Sequence, residues 1–218
     1  MKPEFLVRLM TVLKPAPGSL RTSRLYKCVR WTLCALLLLV ALLWLADRIW
    51  PLPLPKDDLA RVVLAEDGTP LWRFADANGV WRYPISNDQV SPYYLEALLT
   101  YEDRWFYSHP GVNPLALVRA TWQNVSGARV VSGGSTLSMQ VARLLDPHSR
   151  TLFGKLRQLW RTAQLEWHLS KDQILGIYLN RAPFGGTLQG VAAASWAYLG
   201  KSPHNLTRAE AALLAVLP

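Results

Sequence analysis

The longest uninterrupted apolar pattern lies near the N-terminus. Trp31 to Ala46 reads WTLCALLLLVALLWLA, sixteen residues without a charge, about 24 Å of helix against a hydrocarbon core of about 30 Å. The DRIW that follows extends it to Trp50, with Arg48 reaching back to the interface. Trp31, Trp44 and Trp50 suit the interfacial belts. The pattern then changes three times. PLPLP (51–55) is a stiff extended spacer. Residues 61–83 alternate or are β-branched in three runs, separated by Asp67-Gly68 and Asn78-Gly79, and predict a small three-stranded antiparallel unit. From Ser91 onward the period is helical. Ser91-Pro92 and Asn113-Pro114 are helix starts, and Ser170 to Gln173 and Thr207 to Glu210 are capping boxes. The predicted helices cover about 92–104, 114–126, 135–145, 152–168, 171–180, 187–199 and 207–217. The fold class is mainly α, with one N-terminal membrane helix and a small β unit. The last helix, EAALLAVLP, has no polar tail, as expected of a piece of a longer chain.

Charge sharpens this picture. The net charge of +9 suggests a nucleic-acid partner until it is divided by position. Residues 1–50 hold eight Lys and Arg against Glu4 and Asp47, and residues 51–218 hold sixteen against thirteen acids. Most of the excess therefore flanks the apolar run, which favours a membrane over a nucleic acid. Positive-inside logic places residues 1–30 in the cytoplasm and residues 51–218 outside. A cleaved signal peptide fits less well. The basic region is too long, and Trp44 stands where a small residue belongs. With Cys28 and Cys34 the only cysteines, the main domain holds neither a disulfide nor a Cys-based zinc site.

Three stretches carry candidate chemistry. Glu102-Asp103 closes a helix, and Phe106, His109 and Gly111 follow. Ser132-Gly-Gly-Ser-Thr136-Leu-Ser-Met-Gln140 places a glycine turn before a helix, a geometry that can bind anions, although no P-loop lysine follows. Arg143, Arg150, Lys155, Arg157 and Arg161 face a single acid, Asp146. Such a tract is either a solvated helix face or a phosphate clamp.

Together these segments resemble the peptidoglycan glycosyltransferases of glycosyltransferase family 51. Glu102-Asp103-x-x-Phe106-x-x-His109-x-Gly111 is similar to the first family motif, Gly133 to Gln140 to the second, and Lys171-x-x-Ile174-Leu-x-x-Tyr178-Leu-Asn180 to the fourth. Ala197 to Lys201 and Leu206 to Leu214 resemble the fifth and the closing helix. The chain resembles the N-terminal part of a class A penicillin-binding protein of the 1C type. No Ser-x-x-Lys transpeptidase motif is present in it.

The resemblance implies a lysozyme-like head with a membrane-associated jaw around residues 113–129, where Leu115, Leu117, Val118, Trp122 and Val125 cluster. It implies a cytoplasmic tail (1–30), an anchor (31–50), a spacer with the β unit (51–88) and a glycosyltransferase domain (89–218). The implied partners are lipid II, the growing glycan strand and the membrane. The implied reaction is inverting attack by a sugar 4-hydroxyl, releasing undecaprenyl pyrophosphate. Glu102 matches the general base. Asp103, Phe106 and His109 shape the cleft, and Ser135, Thr136 and Gln140 bind donor sugar or phosphate. Arg143, Arg150 and Lys155 match the pyrophosphate-binding residues, and a Mg²⁺ or Mn²⁺ ion could share that task. Two departures stand out. The family's second catalytic glutamate is Gln158, in Gly154-Lys155-Leu-Arg-Gln158, and its fourth-motif glutamate is Gly176, which weakens a helix by about 1 kcal/mol. Glu166, eight residues beyond Gln158, lies about 12 Å further along the axis. Two other readings remain open: a glycan-binding scaffold that has lost activity, and a lytic enzyme of the lysozyme-like fold.

Overall fold

A computed structural model describes residues 20–54, 60–66, 70–113, 135–149 and 151–218. The expected helix over 114–126, the jaw around it, the Asp67-Gly68 turn and Arg150 lie outside these residues. The chain divides into two compact units, Met1–Pro51 and Leu52–Pro218.

In the first unit, α1 runs from Leu20 to Ile49, about 45 Å of helix. It continues past the uncharged run at both ends, so the span no longer falls short of a bilayer. Tyr26–Ile49 is the one stretch among the described residues long and apolar enough to cross a membrane. The Arg48 guanidinium lies 5.2 Å from the Trp44 ring centroid, the contact that an i, i+4 spacing allows. Cys28 and Cys34 are free and exposed on this helix.

The second unit is mainly helical. It opens with an antiparallel pair, β1 (Val62–Leu64) and β2 (Pro70–Arg73), in which Val62 faces Arg73 and Val63 faces Trp72. The expected third strand does not join them. Asn78-Gly79 does turn the chain, with Gly79 at φ 76°. However, the Asp76 carboxylate takes the amides of Asn78 and Val80 at 2.8 and 2.9 Å, and Asp76 N donates to Val80 O at 2.8 Å. That closed loop uses the groups a ladder would need. The chain emerging from it finds another partner: Trp81 bridges Leu188 in parallel. The Arg73 guanidinium, 3.7 Å above the Trp196 ring, fastens β2 to the helix that carries Trp196.

The helices follow as α2 (Pro92–Glu102), α3 (Leu137–Leu145), α4 (Leu152–His168), α5 (Lys171–Arg181), α6 (Val191–Leu199) and α7 (Arg208–Ala215). Both capping boxes form, at Ser170/Gln173 and Thr207/Glu210. Ser91 precedes α2 with Pro92 in its first turn, but its hydroxyl makes no cap. It donates instead to Leu206 O at 3.2 Å, while Ser91 N donates to Pro203 O at 2.9 Å. These bonds draw the start of α2 to the entry of α7. The helix expected from residue 187 begins only at Val191. Before it, β3 (Pro183–Gly185) and β4 (Leu188–Gln189) make a short hairpin. Gly190 then passes at φ 83° so close to α5 that a Cβ would stand 2.7 Å from Asn180 O.

The core lies between these helices. Tyr94 and Leu98 of α2, Leu137 and Val141 of α3, Leu165 of α4 and Ile174 of α5 are wholly buried. Asn180 closes the far side by pairing with a backbone segment: its Oδ1 accepts Ile85 N at 2.9 Å and its Nδ2 donates to Ile85 O at 2.8 Å. Lys201 and Glu210 form an ion pair at 2.8 Å beside the α7 cap. The Lys201 hydrogen bond, helped by the Thr207 amide and hydroxyl, holds the Glu210 carboxyl at about 2. Its stabilising effect is complete above the ordinary glutamate value and disappears as pH falls through about 2. Glu210→Gln should therefore flatten the pH dependence of unfolding across that acid window. Urea melts at stepped pH would check this, and an unchanged slope would contradict it.

Candidate active site

The first two motifs meet through one carboxylate. Asp103 ends α2, its amide still donating to Leu99 O at 3.0 Å. Its side chain is buried and accepts from His109 Nε2 at 2.9 Å and from the Leu137 amide at 2.9 Å. The second bond satisfies one of the unpaired amides at the α3 N-terminus. Thr136 caps the same end. It accepts from the Met139 amide at 3.2 Å, and its hydroxyl donates to Gly111 O. Asp103, His109 and Thr136 are thus brought together, all buried and all bonded within the protein. Phe106 is core, with the Lys171 ammonium 4.6 Å from its ring.

This joint fixes Glu102, one residue earlier. Glu102 is half-buried and accepts from Gln140 Nε2 at 2.5 Å. Tyr94 and Tyr178 are buried nearby, with hydroxyls that have no partner among the described residues. Burial first, then the neighbouring Tyr178 for Tyr94 and the Glu102 carboxyl for both, push the two phenols well above the ordinary tyrosine range. Both phenols therefore stay neutral.

Arg143 stands exposed one turn beyond Gln140 on α3. Lys155, in the first turn of α4, is half-buried and donates to Gln158 Oε1 at 3.0 Å. Burial and the neighbouring Arg143 charge lower its pKa. Neither cation meets a carboxylate among the described residues. The other half of the basic tract is different. Arg157 grips Asp146 at 2.6 and 2.8 Å, and Arg161 Nε reaches it at 2.8 Å. These two arginines are committed within the fold, so among the described residues the tract reduces to Arg143 and Lys155. Ser135 is exposed just ahead of α3. Gly154, one residue before Lys155, is packed so closely that a Cβ there would lie 2.1 Å from Ser149 O.

One network was not legible from motif spacing. Glu166 accepts from Ser138 Oγ at 2.5 Å and from Lys171 Nζ at 2.7 Å. Its Cγ also lies 2.6 Å from where a Cβ on Gly111 would stand, and Gly111 has φ 81°. Glu166 thereby ties the first, second and fourth motifs together, and it is not placed to replace a carboxylate at Gln158. The helical periodicity of α4 puts it on the buried face, which was the available signal.

A divalent ion does not fit these side chains. Gln158 is buried, with its nitrogen on Met139 O at 2.7 Å and its oxygen under the Lys155 ammonium. Asp103, Asp146 and Glu166 are taken by His109, two arginines and Lys171. Among the described residues no three His, Cys, Asp or Glu side chains converge.

This helical domain, in which the half-buried Glu102 carboxylate and the Arg143 and Lys155 cations have no ion-pair partner among the described residues, belongs to the transglycosylase family, whose family model matches residues 67–218. The chain is 70% identical to penicillin-binding protein 1C of Escherichia coli over 175 residues, covering 80% of this chain and 23% of that protein. It is 38% identical to penicillin-binding protein 1A of Aquifex aeolicus, covering 63% and 19%, and 34% identical to penicillin-binding protein 1F of Bacillus subtilis, also covering 63% and 19%. The chain therefore spans about a quarter or less of the length of these curated relatives.

Asp103→Ala should destabilise the domain by about 3–5 kcal/mol, because it strands a buried histidine and a buried amide. The urea midpoint reads this directly. A change below about 0.5 kcal/mol, the scale of an ordinary surface substitution, would refute the joint.

Proposed function

We propose that the chain is a peptidoglycan glycosyltransferase that polymerises lipid II into glycan strands. One observation carries this reading. A single face of α3 runs from Gln140, which holds the Glu102 carboxylate at 2.5 Å, to Arg143, whose charge acts on Lys155. An anionic base and a pair of cations thus stand within one short helix of each other, as displacement of a phosphate leaving group requires.

The roles follow from charge. Glu102 accepts the proton of the incoming sugar 4-hydroxyl as that oxygen bonds to the donor's anomeric carbon. The bond from that carbon to the pyrophosphate breaks on the opposite face, and the configuration inverts. Lys155 and Arg143 take up the negative charge that grows on the departing undecaprenyl pyrophosphate. Arg150, outside the described residues, is a third candidate for that role. Ser135 faces solvent at the head of α3 and is available to a sugar or phosphate. Asp103, His109, Thr136 and Phe106 shape the site from behind, by fixing the end of α2 and the start of α3. In this reading α1 anchors the chain in the bacterial inner membrane, and residues 51–218 lie in the periplasm. The charge split about α1 supports that topology.

Glu102→Gln keeps the size of the side chain and removes the proton acceptor. Polymer formed from lipid II by the purified chain should fall about 10²–10⁴-fold. Moenomycin, which resembles the donor strand through its phosphoglycerate and sugars, should still bind. Wild-type polymerisation by this variant would overturn the assignment of the base. Binding without polymerisation by the unaltered chain would favour the scaffold, for which the Gln158 exchange speaks. Cleavage of preformed strands would favour a lytic enzyme. For topology, protease added outside spheroplasts should digest the main domain, and its protection would contradict the orientation.

A further inference from the structure

Gln158 is more than a missing acid. Its amide has two different ends, and the structure uses both. The nitrogen donates to the Met139 carbonyl at 2.7 Å, crossing from α4 to α3, and the oxygen accepts from Lys155 Nζ at 3.0 Å. The backbone carbonyl of the same residue accepts from Thr162 Oγ1 at 2.8 Å. The side chain is 5% exposed. A carboxylate in this place would turn an oxygen toward Met139 O, exchanging a hydrogen bond for repulsion between lone pairs. The contact between α3 and α4 is therefore built around an amide.

The same choice fixes the charge at the leaving-group end. A carboxylate at position 158 would neutralise Lys155, whereas an amide oxygen orients the ammonium and leaves its charge intact. Arg143 adds a second charge. A magnesium or manganese ion there needs anionic oxygen ligands from the protein; Asp103, Asp146 and Glu166 are already bound to His109, Arg157, Arg161 and Lys171, and Glu102, held by Gln140 Nε2, is the base in the reading above.

We propose that this chain neutralises its pyrophosphate leaving group with fixed cations, Lys155 aided by Arg143, without a divalent metal ion, and that Gln158 is the residue that sets this choice. The proposal rests on the glycosyltransferase reading above and adds the means by which the leaving group is stabilised.

The test uses the purified full chain with lipid II, in excess EDTA and in excess Mg²⁺ or Mn²⁺. Polymer should form at the same rate in all three. Lys155→Gln should lower the rate in EDTA by about 10²-fold, the usual cost of one preorganised charge-stabilising group. Gln158→Glu should be slow in EDTA and accelerate with Mn²⁺, because it pairs Lys155 and supplies a metal ligand. Loss of wild-type polymerisation in EDTA with recovery in Mg²⁺ overturns the proposal, as does a wild-type rate in EDTA for Lys155→Gln. A second readout is independent of turnover. The electron paramagnetic resonance signal of free Mn²⁺, with inorganic pyrophosphate present, should be unchanged by adding the wild-type chain. Its depletion beyond that caused by pyrophosphate alone overturns the metal-free claim. Absence of polymer under every condition overturns the glycosyltransferase reading instead, and the Mn²⁺ titration still decides the metal claim. Both wild-type arms remain decisive if Gln158→Glu fails to fold.

Discussion

The Asp103 carboxylate has to satisfy a histidine nitrogen and a helix amide at once, out of reach of water. Both bonds are 2.9 Å long, and neither partner has another acceptor of comparable strength. This demand makes α2 end where it does, brings the loop carrying His109 back over the start of α3, and leaves Glu102 one residue short of burial. The carboxylate proposed as the base is thus positioned by its neighbour. Burial commits Asp103 to the protein, and partial exposure leaves Glu102 available to a ligand.

Charge in the rest of the domain follows a similar division. Of the cations along α3 and α4, Arg157 and Arg161 neutralise Asp146 and brace the two helices. At the start of α5, Lys171 is likewise held between Glu166 and the Phe106 ring. Among the described residues Arg143 and Lys155 are left without a carboxylate partner. A tract that reads as uniformly basic is in fact sorted by helix periodicity into a structural half and a half facing the proposed substrate.

That sorting marks the limit of what the sequence discloses. The helices with strong local signals form where they are expected, because a capping box such as Ser170/Gln173 is complete within four residues. The errors lie where a distant partner decides. The third strand is missing because Asp76 captures the amides beside it. The start of α6 is delayed because Gly190 must clear Asn180 O. The Glu102–Gln140 bond joins residues 38 apart, and only family resemblance paired them in advance. In the sequence Ser138 and Asn180 stand only as motif letters and Glu166 only as an acid too far along its helix from Gln158, because the meaning of each lies in what it touches.

The two cysteines of the 218 residues sit six positions apart on α1, both exposed. The domain that carries Glu102 has none. A thiol-reactive dye or spin label attached to these 218 residues therefore reports on α1 alone. With no competing thiol in the second unit, the depth and surroundings of that helix can be followed without replacing any residue of the domain that holds the chemistry.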